Sequence, residues 1–166
     1  MESRRFEVEP GRRLAYAHWG GPANPRSLFC VYGLTRNGHD FDHLATALEA
    51  DYRVIYPDVA GRGDSDWLAD QYAYGFDVYC SDMLALVGHL GLELVDWLGT
   101  SMGGMIVAAR SKGVIGRLIL NDVGLFIPKA ALTRIDGYVG GVPTHGNQRS
   151  EWDAGCHFDF ENPEHR

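Results

Sequence analysis

The residues best suited to chemistry lie in a pentapeptide bounded by glycines. Gly99-Thr-Ser-Met-Gly103 has the pattern G-x-S-x-G, with a glycine two residues before the serine and another two residues after it. A serine at the tip of a tight strand-to-helix turn has a strained backbone, so side chains at those two positions would collide. Its hydroxyl projects from the turn, where the start of the helix contributes partial positive charge. The pattern therefore predicts Ser101 as a nucleophile.

A second turn predicts groups that stabilise negative charge. Gly33 follows the apolar run 27–32, which is typical of a strand covered on both faces. A glycine at this point lets the backbone N–H of Leu34 face the same cavity as the N–H of Met102. Two such donors beside a serine hydroxyl would hold the oxyanion of a tetrahedral intermediate. The alternative is an ordinary turn at the end of a strand, and the spacing alone does not decide between them.

These turns need a framework of alternating strands and helices. In the first hairpin, Leu14, Tyr16 and His18 alternate with other residues, so one face is predicted to be buried. Apolar periodicity predicts strands at 4–9, 13–19, 27–32, 52–59, 94–98 and 117–122, and helices at 40–50, 76–90 and 102–111. Such alternation favours an α/β sheet with helices on its faces.

Composition excludes several classes of function. Fifteen basic and 22 acidic residues among 166 give a net charge of -7, so no basic surface for nucleic acid or anionic lipid is expected. The acidic N-terminus has no apolar signal segment, and no apolar run is long enough to span a membrane. Three scattered cysteines, Cys30, Cys80 and Cys156, predict neither a disulfide framework nor a zinc site. A cytoplasmic location is expected.

Four stretches together carry a resemblance to a known family. They are 32–41 (YGLTRNGHDF), 57–66 (PDVAGRGDSD), 99–104 (GTSMGG) and 118–124 (LILNDVG). In this order, over roughly residues 4–140, the chain resembles the N-terminal part of an α/β-hydrolase-fold serine hydrolase. The resemblance implies a mostly parallel sheet with helices on both faces, truncated after about the sixth strand, with the first hairpin as its antiparallel edge.

The same resemblance implies roles for individual residues. Ser101 would be the nucleophile, and the N–H groups of Leu34 and Met102 would form the oxyanion hole beside Gly33. The glycines of the nucleophile turn would be Gly99, Gly103 and Gly104. The partners would be a small-molecule substrate and water, with no cofactor or metal.

The sequence departs from the family in two ways. Tyr32 stands where a histidine usually braces the oxyanion turn by hydrogen bonds, and a tyrosine would either partly replace it or misplace the turn. The later portion of the family pattern is also absent: a first cap helix is predicted at about 128–138, the core ends near residue 140, and 141–166 loses apolar periodicity. We expect residues 141–166 to form a poorly ordered tail.

The general base is not assigned. A serine needs a nearby base to take its proton, and the chain has seven histidines. Four of them, His18, His39, His43 and His89, are predicted to be structural or solvated. The other three follow Ser101 in the tail without the expected motif around them: His145, His157 and His165. Asp122 is either the acid of a family variant or a residue that caps the next turn.

Two further patterns have simpler explanations. Residues 62–64 form the adhesion tripeptide Arg-Gly-Asp. In a short loop of a chain that is expected to be cytoplasmic, we interpret this match as a coincidence. The polar residues of 39–43 suggest a metal, yet they would spread around the start of a helix, which favours a solvated surface.

Three functions remain open. The first is a serine hydrolase acting on a small ester, lactone, thioester or related carbonyl compound. The second is an inactive truncated or frame-shifted remnant, and the third is a binding module that uses the same pocket without turnover. Strand 117–122 is expected to be an exposed sheet edge, which predicts dimers or aggregation.

Overall fold

A six-stranded sheet forms the centre of the molecule, with the strand order β1-β2-β4-β3-β5-β6. The computed structural model describes residues 1–108, 113–123 and 127–136. Its strands are β1 (Glu2–Glu9), β2 (Arg12–Trp19), β3 (Ser27–Val31), β4 (Arg53–Pro57), β5 (Val95–Thr100) and β6 (Ile115–Asn121). Its α-helices are α1 (Asp42–Leu48), α2 (Phe76–His89), α3 (Met102–Ala108) and α4 (Lys129–Asp136), and short 3-10 helices span Gly38–Phe41 and Gln71–Ala73.

The strand directions confirm a mostly parallel sheet with an antiparallel edge. Strand β3 pairs in parallel with both β4 and β5, and β5 pairs in parallel with β6. Strand β2 pairs antiparallel with β1 in the hairpin and antiparallel with β4 on its other side. The parallel strands therefore bring their carboxyl ends to one edge of the sheet, where the loops that follow them meet.

The helices cover both faces of the sheet, as predicted. The Tyr56 hydroxyl of β4 donates to Asp42 at the start of α1. On the opposite face, Phe29 stacks on Trp97 with ring centroids 5.7 Å apart, and the Trp97 indole N–H donates to the Gly103 carbonyl of α3 at 3.1 Å. Phe29 is in register with Ile55, the neighbour of Tyr56. Because successive strand residues point to opposite faces, α1 and α3 lie on opposite sides.

Strand β2 buries more than the one face predicted from its alternating residues. Residues 14–17 are all buried: β2 lies between β1 and β4, and Tyr16 packs against His89 of α2 with ring centroids 6.4 Å apart. The loop after β4, residues 58–66, also closes over it: the Ala15 N–H donates to the Ser65 hydroxyl at 2.8 Å, and the Asp58 N–H donates to the Ala15 carbonyl at 2.9 Å. We call residues 58–66 the β4 loop.

The other end of the described sheet is open. Strand β6 is the last in the order, and its side chains of Leu118 and Ile119 are 44% and 49% exposed. By contrast, Val95 and Trp97 of the neighbouring β5 are buried. This matches the expected position of the strand at the sheet edge, while the dimer predicted from it stays a prediction.

Helix α4 lies where the first cap helix is predicted. It spans Lys129–Asp136, and the rest of the predicted 128–138 segment beyond it falls outside the described residues. The predicted tail, 141–166, also lies outside them. No helix within 1–108, 113–123 or 127–136 combines the length and the hydropathy that crossing a membrane requires.

Candidate active site

Ser101 is the single residue between β5 and α3. Its φ of 50° is in the left-handed region, which residues other than glycine rarely adopt. The Ser101 N–H donates to the Asn121 carbonyl at 2.9 Å, and the Gly104 N–H donates to the Ser101 carbonyl at 3.0 Å. The corner is sharper than the predicted turn 99–104, because β5 continues through Gly99 and Thr100.

Three glycines allow α3 to pack directly against the strands. A Cβ at Gly99 would overlap the backbone of Gly104, and one at Gly103 would overlap the Val31 carbonyl. A Cβ at Gly104 would lie 2.9 Å from the Leu120 side chain. The glycine spacing around Ser101 is therefore a requirement of close backbone approach, which is the physical reason given for the G-x-S-x-G pattern.

The turn after β3 lies against this corner. We call residues 32–34 the β3 turn. A Cβ at Gly33 would lie 3.3 Å from the Ser101 Cβ and 3.9 Å from its Oγ. Within the described part of the chain, the N–H groups of Leu34 and Met102 donate to no protein acceptor. The structure thus places Gly33 against Ser101, and Leu34 and Met102 are the residues that directly follow these two.

The Ser101 hydroxyl is not hydrogen-bonded to a candidate base among the described residues. It is partly exposed, and it forms no hydrogen bond with any histidine in those ranges. His89 stacks on Phe6 with ring centroids 4.7 Å apart, and His18 lies 3.2 Å from Glu2. The other two described histidines, His39 and His43, are exposed. The three later histidines lie outside the described residues: His145, His157 and His165.

Asp122 follows β6 directly and is exposed. Its φ of 54° is left-handed, which aspartate tolerates better than most residues. The neighbouring Asn121 side chain donates to the Thr100 hydroxyl at 3.2 Å, so the ends of β5 and β6 are tied together beside Ser101. This position fits both interpretations of Asp122, as the acid and as a residue of the turn.

Comparison with known proteins decides the family. A model of the α/β hydrolase fold matches residues 26–110. The chain belongs to the α/β-hydrolase family. It is 53% identical over 131 residues to a 3-hydroxybutyrate-oligomer hydrolase of Cupriavidus necator, a match that covers 77% of this chain and 45% of that protein.

Two other proteins that match this chain carry different names. The magnesium-chelatase 30 kDa subunit of Rhodobacter capsulatus is 36% identical over 135 residues, with 79% of this chain and 45% of that protein covered. A crystal structure of an α/β hydrolase from Novosphingobium aromaticivorans is 39% identical with a TM-score of 0.77, covering 84% of this chain and 50% of that one. This α/β hydrolase chain spans about half the length of the curated relatives it matches.

Tyr32 stands at the position where the family resemblance predicts a histidine, and the β4 loop holds its side chain. Its side chain is fully buried, and its hydroxyl accepts the Val59 N–H of the β4 loop at 2.7 Å. Burial also raises the pKa of the Tyr32 hydroxyl, so the group stays neutral. The tyrosine thus fastens the β3 turn to the β4 loop.

Sequence reasoning missed Arg62, a residue of the β4 loop that also contacts the β3 turn. Its side chain is 8% exposed, and its Nε donates to the Leu34 carbonyl at 3.2 Å. A buried arginine does not fit an adhesion tripeptide, which must be reachable by a receptor. The available signal was an arginine between two glycines directly after a buried strand, where a tight loop folds the side chain back.

A polar cavity of about 450 Å³ lies beside the carboxyl ends of the strands. It is lined by Tyr32, Arg36, His39, Asp40, Phe41, His43, Thr100 and Asn121. Its charges pair locally, because Arg36 donates to both oxygens of Asp40 at 2.6 and 2.7 Å. Across the portions of the chain that are described, no three His, Cys, Asp or Glu side chains converge as metal ligands would.

Proposed function

We propose that the protein is a serine hydrolase that cleaves small esters, with Ser101 as the nucleophile. The observation that carries the proposal is the left-handed corner at Ser101, φ 50°, with Gly33 packed against it. A strained serine between a strand and a helix is the arrangement that projects a hydroxyl for nucleophilic attack. Strain of this kind costs stability, so a site that retains it favours a functional role.

The proposed chemistry proceeds through an acyl-enzyme. A base takes the Ser101 proton as Oγ bonds to the carbonyl carbon, and the carbonyl electrons move to oxygen. The N–H groups of Leu34 and Met102 would donate to that oxyanion. Its collapse breaks the bond to the alcohol, which leaves with the proton from the base. The base then takes a proton from water as its oxygen bonds to the acyl carbon, and it returns that proton to Oγ as the acyl–Oγ bond breaks and the acid leaves.

The general base is the part of this proposal that the described residues do not supply. We assign the base to the part of the protein outside those residues. Asp122 is the candidate acid within them, because it follows the strand next to Ser101. A carboxylate there would orient the base and stabilise its charged form.

The substrate class rests on the similarity to the Cupriavidus necator protein. That relative is named for hydrolysis of 3-hydroxybutyrate oligomers, and it is 53% identical over 131 residues. Such oligomers are held together by ester bonds between short hydroxy acids. We therefore propose an ester between small acids in preference to a lactone or a thioester.

Covalent labelling tests the nucleophile. The whole protein is treated with a fluorophosphonate, which reacts with activated serines, and hydrolysis of p-nitrophenyl butyrate is followed in parallel. We expect one adduct, on Ser101, and loss of both labelling and hydrolysis in Ser101→Ala. Ser81→Ala is the control, because Ser81 is exposed on α2. Equal labelling of Ser101→Ala and the wild-type protein would refute the assignment.

A second candidate function is ligand binding without turnover. It is favoured by the finding that no described histidine hydrogen-bonds to Ser101. In that case a 3-hydroxybutyrate dimer would bind to the wild-type protein and to Ser101→Ala with equal affinity, and neither protein would hydrolyse it. Titration calorimetry together with product analysis separates the two functions.

A further inference from the structure

We propose that Arg62 is a positioning residue that, together with the Tyr32 hydroxyl, holds the β3 turn in the orientation that presents the Leu34 N–H. This inference rests on the proposed function, because the orientation of that turn affects hydrolysis only if Leu34 binds an oxyanion.

The first step is the contact between Arg62 and the β3 turn. The Arg62 Nε donates to the Leu34 carbonyl at 3.2 Å, and the Arg62 side chain is buried. A guanidinium keeps its charge at all physiological pH values, and its hydrogen bonds strengthen where water is excluded. Because this bond fixes the peptide plane that follows Leu34, it limits rotation of the residue whose N–H would bind the oxyanion.

The second step is what holds the guanidinium itself. The Arg62 Nη1 donates to the Tyr79 hydroxyl at 3.3 Å, and the guanidinium carbon lies 5.6 Å from the centre of the Tyr79 ring. Tyr79 is fully buried on α2. These two contacts hold the Arg62 guanidinium against a buried side chain of α2. Its hydrogen bond to the β3 turn is therefore held in place.

The third step is that the same loop holds the other side of the turn. The Tyr32 hydroxyl accepts the Val59 N–H at 2.7 Å. Tyr32 precedes Gly33 and Leu34 follows it, so the β4 loop fastens the turn at both of its ends. With Gly33 against Ser101, a small displacement of this turn would move the Leu34 N–H away from the oxyanion.

The β4 loop is firm enough for this purpose. The Ser65 hydroxyl donates to the Asp58 carbonyl at 2.6 Å and accepts the Ala15 N–H. The Asp64 N–H donates to the Asp58 carboxylate at 3.0 Å. These bonds join the two ends of the loop to each other and to the interior strand β2.

A positioning role predicts a specific kinetic change. The oxyanion exists only in the intermediate and in the transition states beside it, so a misplaced donor lowers kcat and leaves KM almost unchanged. Removal of an oxyanion-hole donor itself typically costs about 10²–10³ in kcat, so an indirect effect should be smaller, about tenfold. A merely structural role would lower the fraction of folded enzyme without this pattern.

The test compares Arg62→Met, Arg62→Lys and a matched control in the whole protein. The control is Arg26→Met, because Arg26 also lies over a tyrosine ring, 5.7 Å from the centre of Tyr52, and donates to its hydroxyl at 3.2 Å. Arg26 lies directly before β3 in the chain, whereas the β3 turn lies at the other end of that strand. We expect kcat per fluorophosphonate-titrated site to fall about tenfold in Arg62→Met with KM within about twofold. Arg62→Lys should recover part of the lost kcat, and the kcat of Arg26→Met should match that of the wild type.

A second readout separates this inference from the proposed function. Amide hydrogen exchange in residues 33–36 should be faster in Arg62→Met than in the wild-type protein and unchanged in Arg26→Met. If the wild-type protein neither reacts with fluorophosphonate nor hydrolyses esters, the proposed function fails, and the exchange result alone decides whether Arg62 holds the turn. Wild-type kcat and wild-type exchange in a folded Arg62→Met protein would overturn the inference, and Arg62→Lys provides the same test if the methionine variant does not fold.

Discussion

The two edge strands of the described sheet differ in what they expose. Strand β1 is rich in charged residues along its length: Glu2, Arg4, Arg5, Glu7 and Glu9. Strand β6 has one charged residue, Arg117, and exposes Leu118 and Ile119. Charged side chains discourage a sheet edge from pairing with another chain, whereas an apolar edge invites it. The β1 edge is therefore protected against pairing with another chain, whereas the β6 edge is not protected within the described residues.

The same difference runs through the candidate site. On the β4 side of Ser101, the β3 turn is fastened by Tyr32 and Arg62, both of which are buried. On the β6 side, the described contacts are those of Asn121, an exposed residue, with Ser101 and Thr100. The half of the site that would stabilise an oxyanion is therefore built from described residues, and the half that would supply the base is not.

The largest expected effect comes from breaking the hairpin side. Arg12 donates to both oxygens of Asp82 on α2, at 2.8 and 2.6 Å, and the Asp82 side chain is 2% exposed. Arg12→Ala leaves that carboxylate buried without its cation, which costs about 3–5 kcal/mol in comparable pairs. We expect a loss of this size in the free energy of unfolding, measured by urea denaturation.

The control for this variant is Arg4→Ala. Arg4 pairs with Glu2 at 2.7 Å on the exposed face of the hairpin, where water screens the interaction. It should leave the urea midpoint nearly unchanged. Equal midpoints for the two variants would show that the hairpin is not held by its buried ion pair.

An intermediate effect is expected at the open edge. If β6 pairs with a second copy of the chain, Leu118→Lys puts a charge at the centre of that contact and should weaken dimerisation about tenfold or more. Sedimentation equilibrium measures the change. Leu84→Lys is the control, because Leu84 is 38% exposed on α2, away from the edge. A wild-type protein that is monomeric at high concentration would contradict the predicted dimer.

The smallest expected effect is a pH dependence on the hairpin side. Burial lowers the pKa of His18 below its ordinary 6.5, and its Nδ1 is buried without a hydrogen bond in the described structure. The unfolded chain therefore takes up a proton at a higher pH than the folded protein does. The free energy of unfolding should fall as pH decreases below about 6.5.

His18→Gln removes this titration and should flatten the stability curve between pH 7 and 5. His43→Gln, at an exposed position, should leave the slope as it is in the wild-type protein. Thermal unfolding at a series of pH values measures both. The same slope in His18→Gln and the wild-type protein would assign the pH dependence to other groups.

The features predicted correctly from the sequence are those set by local spacing. The corner at Ser101 depends on five consecutive residues, and the parallel strands depend on short apolar runs. The features missed depend on contacts between distant segments. The contacts around β2 come from His89 on α2, which packs against Tyr16, and from Ser65, 50 residues away from Ala15.

The same reason explains why the site was only partly predicted. Arg62 reaches Leu34 across 28 residues, and Tyr32 reaches Val59 across 27. No periodicity in the chain encodes either contact. The sequence alone therefore indicates a coincidental tripeptide at 62–64, and it does not decide whether Tyr32 replaces the usual histidine or misplaces the turn.

A crystal structure of the protein after reaction with a phosphonate ester tests the Ser101 nucleophile and its two amide donors together. We predict a bond between phosphorus and the Ser101 Oγ, with the phosphoryl oxygen about 2.7–3.1 Å from the nitrogens of both Leu34 and Met102. A phosphonate attached to another residue, or an oxygen turned away from both amides, would contradict the account.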